Sequence, residues 1–243
     1  PQTGLRPQPT ARGSDQHRGR AGIRSNPPPR PKATATLHVV PTTRRDFLKG
    51  AAAGACLLRF RPPTEIAERL QGLRFGMCAD VHQDVMHDAE ERLAAFLKNM
   101  ADKQAHFVAQ MGDFCQPKAA NDSFREVWQS WEGDQYNVVG NHDMDGGASR
   151  KQFREYVGME EGYYSFLQEG YRFIVLDGND RHEKAASGYP RHIGPEQREW
   201  LKETLDATIE PVIVLVHQSL ENARGVDNGA EVRAILEAAN EEA

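Results

Sequence analysis

With 243 residues, 39% of them hydrophobic and 27% charged, the chain has room for one mid-sized globular domain with extensions, and its three cysteines are too few for a disulfide scaffold. No apolar run approaches the roughly 20 residues of a membrane-spanning helix, so no stable membrane span is expected. The net charge of −5 joins a basic stretch, residues 1–61 with twelve Lys/Arg against two Asp/Glu, to an acidic body that repels phosphate backbones, so nucleic acid is not expected as a partner.

Residues 1–42 are rich in Pro, Arg, Gly, Gln and Thr. They hold too little clustered apolar surface to offset ordering entropy and are expected to be a disordered leader or upstream sequence outside the protein proper. Residues 43–62 open on Arg44-Arg45-Asp46-Phe47-Leu48-Lys49 and run into the small apolar stretch 50–58. This resembles a twin-arginine-type export signal, which implies an exported, periplasmic or extracellular protein with the export machinery as a partner through Arg44-Arg45. The plainer alternative is a short amphipathic helix with a basic start. Ala53-Gly54-Ala55-Cys56 lacks the Leu of a lipobox, so no lipid anchor is expected. The first methionine is Met77, and the last residues read as a helix with no strand after it. The sequence therefore reads as a fragment.

A domain is expected over residues 72–243. A strand is predicted over 73–79, ending at Asp80, and a helix over 87–103, where Ala89, Leu93, Phe96, Leu97 and Met100 recur at helical spacing. A second strand over 107–111 ends at Gly112-Asp113. A second helix over 120–132 buries Phe124, Val127, Trp128 and Trp131, and a third strand over 136–139 ends at Gly140-Asn141. This βαβαβ order implies a parallel sheet. Residues 163–166 and 171–176 flank Gln168-Glu169-Gly170, a hairpin signal. Gly194-Pro195-Glu196 opens a helix with Trp200, Leu201 and Leu205 on its buried face. A strand over 211–216 leads directly into His217, and Val232, Ile235, Leu236 and Ala239 mark a last helix.

Each predicted strand that leaves the sheet does so at a metal-ligand type of residue: Asp80 and His82, then Asp113, then Asn141 and His142, then His217. Asp80 to Asp113 spans 33 residues and Asp113 to Asn141 spans 28, each one βα unit. In a parallel sheet these residues emerge together at the carboxyl edge, where α/β proteins build their sites. Such a set suits a pair of divalent ions, with Asp113 as the natural bridge. Neutral imidazoles and an amide limit the negative charge, which favours a phosphate anion as substrate. Taken singly each residue has a plainer reading: Asp80 and Asp113 as turn formers or helix caps, Asn141 as part of a tight turn, His217 as a core histidine. The ordered set is what carries the functional reading.

Asp80-Val81-His82, Gly112-Asp113, Gly140-Asn141-His142-Asp143 and His217 resemble, in order and spacing, the motifs of the calcineurin-like metallophosphoesterases. The resemblance covers about residues 72–243. It implies an α/β fold, an αββα sandwich of two mixed β-sheets flanked by helices and truncated at the C-terminus. It also implies hydrolysis of a phosphomonoester or phosphodiester by a hydroxide that two metals activate, with small-molecule phosphate esters favoured as substrates. By the resemblance Asp80 and His82 bind the first metal, Asp113 bridges, and Asn141 and His217 bind the second. His142 protonates the leaving oxygen, and Asp143 orients it. The ions are divalent, with Mn, Fe, Zn and Ni left open.

Two departures stand out. The family's G-H-x-H motif is missing, since no His follows His217. The expectation is a chain that stops short of it, lacks one ligand on each metal, and is poorly active. Gln116 stands where many relatives have Asp, and no Tyr adjoins Asp113, so a tyrosinate-coloured Fe(III) site is not expected. The competing class is a non-catalytic binding module of the same fold, against which stands the full set of ligands in the range covered. His87, His106, His182 and His192 fit no motif position. Cys78 and Cys115, on neighbouring strands, are expected to be buried thiols, with a disulfide as the alternative. The loop from Asp177 to Pro190 is placed to line the pocket, but nothing in it fixes a substrate.

Overall fold

The computed structural model of the chain describes residues 55–57, 72–182 and 188–241. The leader read from residues 1–42 lies outside them, and of the segment 43–62 only Ala55–Leu57 falls within. Those three residues form a strand, β1.

Three strands, β2 (Phe75–Cys78), β3 (Phe107–Gln110) and β4 (Asp134–Asn137), make a sheet in the order β2-β3-β4 that is parallel throughout. Helix α1 (Ala89–Asp102) connects β2 to β3. Helix α2 (Asp122–Gln129), entered through a 3-10 turn at Ala119–Asn121, connects β3 to β4, and α3 (Arg150–Val157) follows. The second sheet has the order β1-β7-β6-β5. Strands β5 (Tyr164–Gln168) and β6 (Tyr171–Leu176) form an antiparallel hairpin. Glu169 and Gly170 close it with φ of 49° and 80°, the positive values that a type I′ turn demands. After α4 (Pro195–Asp206), β7 (Val212–Val216) joins β6 in parallel, and β1 pairs antiparallel on its other side. Helix α5 (Gly229–Glu241) ends the described chain.

Side-chain alternation turns these strands into layers. Phe107 and Ala109 of β3 face Phe173 and Val175 of β6 and Ile213 and Leu215 of β7, forming the core between the sheets. The opposite face of the first sheet, with Val108, packs on Leu93 and Leu97 of α1, Phe124 and Trp128 of α2, and Phe153 and Val157 of α3. The outer face of the second sheet, with Ile174, Leu176, Val212, Val214 and Val216, packs on Leu201 and Leu205 of α4 and Val232 and Leu236 of α5. Strands β6 and β7 are covered on both faces, which is why their sequences read as unbroken apolar runs. The Phe107 ring stacks on Phe75 at 4.9 Å and meets Phe173 edge-on at 5.0 Å. Contacts of this kind add about 0.5–1.5 kcal/mol each beyond area burial. The result is the expected αββα sandwich, its first sheet parallel as the βαβαβ order implies and its second mixed.

Local differences have local causes. The third strand lies two residues earlier than predicted. Val138 and Val139 are fully buried beyond its end, Val138 in the core between the sheets and Val139 in the core beneath α1, α2 and α3, so the apolar run outlasts the strand. Helix α2 stops at Gln129, and Trp131 packs on the core only in part. Helix α3 went unpredicted. Its signals are the capping box of Ser149 and Gln152 and the left-handed Gly158 at its end. Cys78 and Cys115 are free thiols. No helix among the described residues is long and apolar enough to cross a membrane.

Candidate metal centre

The chain leaves β2 through Asp80 and His82, whose backbones are left-handed at φ 54° and 51°. It leaves β3 through Gly112 and Asp113, at φ 94° and 52°. Left-handed backbone costs an ordinary L-residue roughly 1–2 kcal/mol. Three such residues of ligand type at one sheet edge mark strain held where function gathers. Backbone bonds hold it: Asp80 N–H donates to Gly112 O at 3.1 Å, His82 N–H to Asp113 O at 2.9 Å, and Gln83 N–H to Phe114 O at 3.1 Å. The two loops therefore run side by side, and ligand atoms of Asp80, His82 and Asp113 lie within 4.8 Å of one another.

Close backbone approach requires glycine twice here. A Cβ on Gly112 would come within 2.7 Å of the Gly140 backbone and of His217 Nδ1, and one on Gly140 would overlap the Asp113 amide nitrogen and Oδ1. Buried Gln110 secures this corner, accepting from Gly112 N–H at 2.7 Å and donating to Val138 O at 3.1 Å.

Asp113 is the centre of the cluster. Its Oδ2 lies 3.7 Å from His82 Nε2 and 3.3 Å from His217 Nε2, and its Oδ1 accepts from the His142 amide at 2.8 Å. His217 Nδ1 meets Met111 O at 2.8 Å. A carbonyl only accepts, so Nδ1 carries the hydrogen, and Nε2 is turned toward Asp113. Burial acts to raise the Asp113 carboxyl, but the bond and charge of His217 and the His142 amide hold it below the usual carboxylate range. Burial acts to lower His217, and Asp113 outweighs it, leaving the imidazole above its ordinary value.

Of the other expected residues, Asn141 follows Gly140 directly and lines an adjoining cavity of about 400 Å³ with Arg150, Asn179, Arg181 and Tyr189. The His142 ring lies 5.2 Å from that of His82. Asp143 does not orient it. Asp143 is fully buried; its Oδ1 accepts from Phe114 and Cys115 N–H at 2.6 and 3.2 Å, and its Oδ2 from Gly140 N–H at 2.8 Å. Burial pushes its carboxyl up to about 7, against the pull of the Gly140 and Phe114 amides. The carboxylate that meets His142 belongs to Asp145, whose Oδ2 is 2.7 Å from Nδ1. The physical reason is the 3-10 turn that opens at His142 and breaks at Asp145, in which residues three apart eclipse while the next residue points elsewhere. Tyr189, from a distant loop, reaches both groups.

Sequence reasoning also missed Asp84. It accepts from Gln116 N–H at 2.6 Å, Asn121 Nδ2 at 2.9 Å and Lys118 Nζ at 2.6 Å, tying the loop after β2 to the loop after β3. Burial acts to raise its carboxyl, and bonds from Asn121 and Lys118 outweigh it. A cavity of about 310 Å³ beside the cluster is lined by His82, Asp84, Val85, Asp113, His142 and Asp145 among others. A larger cavity of about 860 Å³ holds Arg150 and Asp180, but Asp80, His82, Asp113, Asn141, His142 and His217 do not line it, and Arg150 is already paired with Asp177 and Asp180. The candidate ligands His82 and Asp113 border the smaller one. Of the unassigned histidines, His106 accepts the Arg74 amide at 3.1 Å and His192 pairs with Asp227 at 2.7 Å; neither joins the cluster.

The donor set fits divalent metal ions. A buried carboxylate oxygen stands between two imidazole nitrogens, a second carboxylate lies alongside, and one imidazole has its tautomer pinned from behind. An αββα sandwich with this cluster at its carboxyl edge defines a metal-binding α/β protein. Residues 73–241 match the sequence profile described as calcineurin-like phosphoesterase, and the chain belongs to that family. Among solved structures it is similar to a dimetal phosphatase from Danio rerio, at 17% identity and a TM-score of 0.54, over 68% of this chain and 77% of that one. That likeness is one of fold. A protein of unknown function from Aquifex aeolicus aligns over 67% of this chain and 87% of its own at 15% identity and a TM-score of 0.37. No curated protein matches the chain.

Proposed function

We propose that the protein hydrolyses a small phosphomonoester or phosphodiester with two divalent metal ions. The observation that carries this reading is Asp113, whose one oxygen is directed between His82 and His217 while its other is fixed by a backbone amide. Asp80, His82 and Asp113 would hold one ion, and Asp113, Asn141 and His217 the other. When bound, such ions polarise phosphoryl oxygens and lower the pKa of water. The residues around them do the remainder. The glycine corner and the Asp84 tie hold the ligand loops in register, so little reorganisation is left for the reaction. His142 lines the cavity and can give a proton to the departing oxygen. A cavity of about 310 Å³ suits a small ester, and the acidic body disfavours long nucleic acids. The twin-arginine-type segment supports export to the periplasm or beyond.

The test uses the full-length protein freed of metal and then supplied with Mn²⁺, with p-nitrophenyl phosphate and bis-p-nitrophenyl phosphate as substrates. Hydrolysis that chelation abolishes and Mn²⁺ restores is expected, and the ratio of the two rates separates monoesterase from diesterase. Tight Mn²⁺ binding with no hydrolysis of either ester would make the domain a binding module.

A further inference from the structure

We propose that Asp145 and Tyr189 are positioning residues for His142, and that the clamp they form sets how well the site expels leaving groups that need a proton. This rests on the phosphoesterase reading above. His142 Nδ1 lies 2.7 Å from Asp145 Oδ2, and the Tyr189 hydroxyl lies 2.8 Å from Asp145 Oδ1 and 3.0 Å from the same Nδ1. The three groups close a ring of contacts, and its proton bookkeeping has one solution. An ionised carboxylate only accepts, so Nδ1 carries a hydrogen and gives it to Asp145. The single phenolic hydrogen goes to the other carboxylate oxygen, which leaves the Tyr189 oxygen as a second acceptor facing Nδ1–H. One nitrogen of the imidazole is thus fixed by two acceptors, and Nε2 has no partner among the described residues.

The three residues come from two distant parts of the chain. His142 and Asp145 are three apart in one turn, while Tyr189 arrives from the loop before α4. The Tyr189 ring is 45% exposed, yet its hydroxyl is committed inward and its ring packs 4.7 Å from that of His142. His142 and Asp145 line the cavity beside the ligand cluster, and Tyr189 lines the adjoining one that Asn141 also borders. The clamp is therefore a wall between two cavities, and it orients the one imidazole that the ligand cluster leaves uncommitted.

The step it serves balances simply. A water oxygen forms the new bond to phosphorus, the bond from phosphorus to the leaving oxygen breaks, and that oxygen takes the proton from His142 Nε2. The ring passes from imidazolium to the neutral form with Nδ1–H still held by Asp145. The proton lost by water goes to solvent, from which the ring is recharged. A carboxylate on Nδ1 holds the tautomer that presents Nε2 to the leaving oxygen.

The test compares p-nitrophenolate, which leaves without a proton, with an alkoxide leaving group in an otherwise matched ester, using the full-length Mn²⁺-loaded protein. For Asp145→Asn, kcat on the alkyl ester is expected to fall about 100-fold, as loss of general-acid assistance does. On the p-nitrophenyl ester the fall should stay within about 3-fold, with KM unchanged for both. Tyr189→Phe, a surface change that leaves folding intact, should cost the alkyl ester about 3–10-fold, the worth of one hydrogen bond. Nitrogen-15 spectra of the neutral His142 ring should show hydrogen on Nδ1 in the unsubstituted protein and a mixture in Asp145→Asn. Equal losses on both esters, or no loss on either, would overturn the inference. If the unsubstituted protein hydrolyses neither ester, the phosphoesterase reading fails, and the spectra still decide the clamp: hydrogen on Nε2 sinks it, hydrogen on Nδ1 upholds it.

Discussion

Oδ2 of Asp113 lies 3.3 Å from Nε2 of His217, and the histidine is steadied from behind by the carbonyl of Met111. Both side chains are nearly buried, so the contact is a prepared recess and not a surface ion pair. Asp113→Asn keeps the shape and removes the charge. Because even partners behind a ligand are worth 10–100-fold in metal affinity, Mn²⁺ binding measured by titration calorimetry is expected to weaken at least ~100-fold. The far-ultraviolet circular dichroism should be unchanged.

Gly140 is pressed onto Asp113 by the fold, and a methyl group there would strike backbone, which cannot swing aside. Gly140→Ala is expected to destabilise the protein by about 3 kcal/mol, the upper end of what overpacking costs. Urea denaturation measures this, and Mn²⁺ affinity should fall in the same variant because Asp113 must shift. A variant as stable as the parent would show that the corner yields easily.

Asp143 gathers three backbone N–H groups into one buried carboxylate. Asp143→Ala strands all three, each worth about 1–3 kcal/mol when left unpaired, so the loss in urea should be about 3 kcal/mol or more. Asp143→Asn keeps an acceptor oxygen and should lose less. A role in orienting His142 would instead leave stability untouched and change only the leaving-group dependence.

The thiols of Cys78 and Cys115 should be slow to react. Burial pushes Cys78 up to about 12 against one opposing backbone bond. Burial, with the charges of Asp143 and Asp84, raises Cys115 as well. The thiolate is the reacting form, so iodoacetamide at pH 8 is expected to leave both peptides unlabelled in the native protein and to label both in urea. Mass spectrometry without reductant should find no bridge between them.

The strands and their ligand-bearing ends were legible because the sequence places Asp80, Asp113 and His217 directly after apolar runs, and a parallel sheet delivers such ends to one edge. Burial on both faces of β6 and β7 made their strands unmistakable, and the same continuity misled at Val138-Val139, where burial persists after the strand ends. Helix α3 is short and mostly polar on its surface, so its evidence lay in Ser149, Gln152 and Gly158 and not in periodicity. The partner of His142 was misread because adjacency in sequence is not adjacency around a 3-10 turn. Nothing local points to Tyr189. Its hydroxyl reaches Asp145 across 44 residues of chain, a relation that only tertiary packing creates.

The left-handed backbone at positions 80, 82 and 113 narrows what substitution can do there. A replacement must tolerate positive φ, which bars β-branched residues and favours Gly, Asn and Asp. In a lineage that no longer needed the ions, drift at these three places would run downhill toward glycine, because each such change sheds strain. A homologous sequence with glycines at all three would be a protein that has exchanged metal binding for stability, and that exchange could be read from three letters.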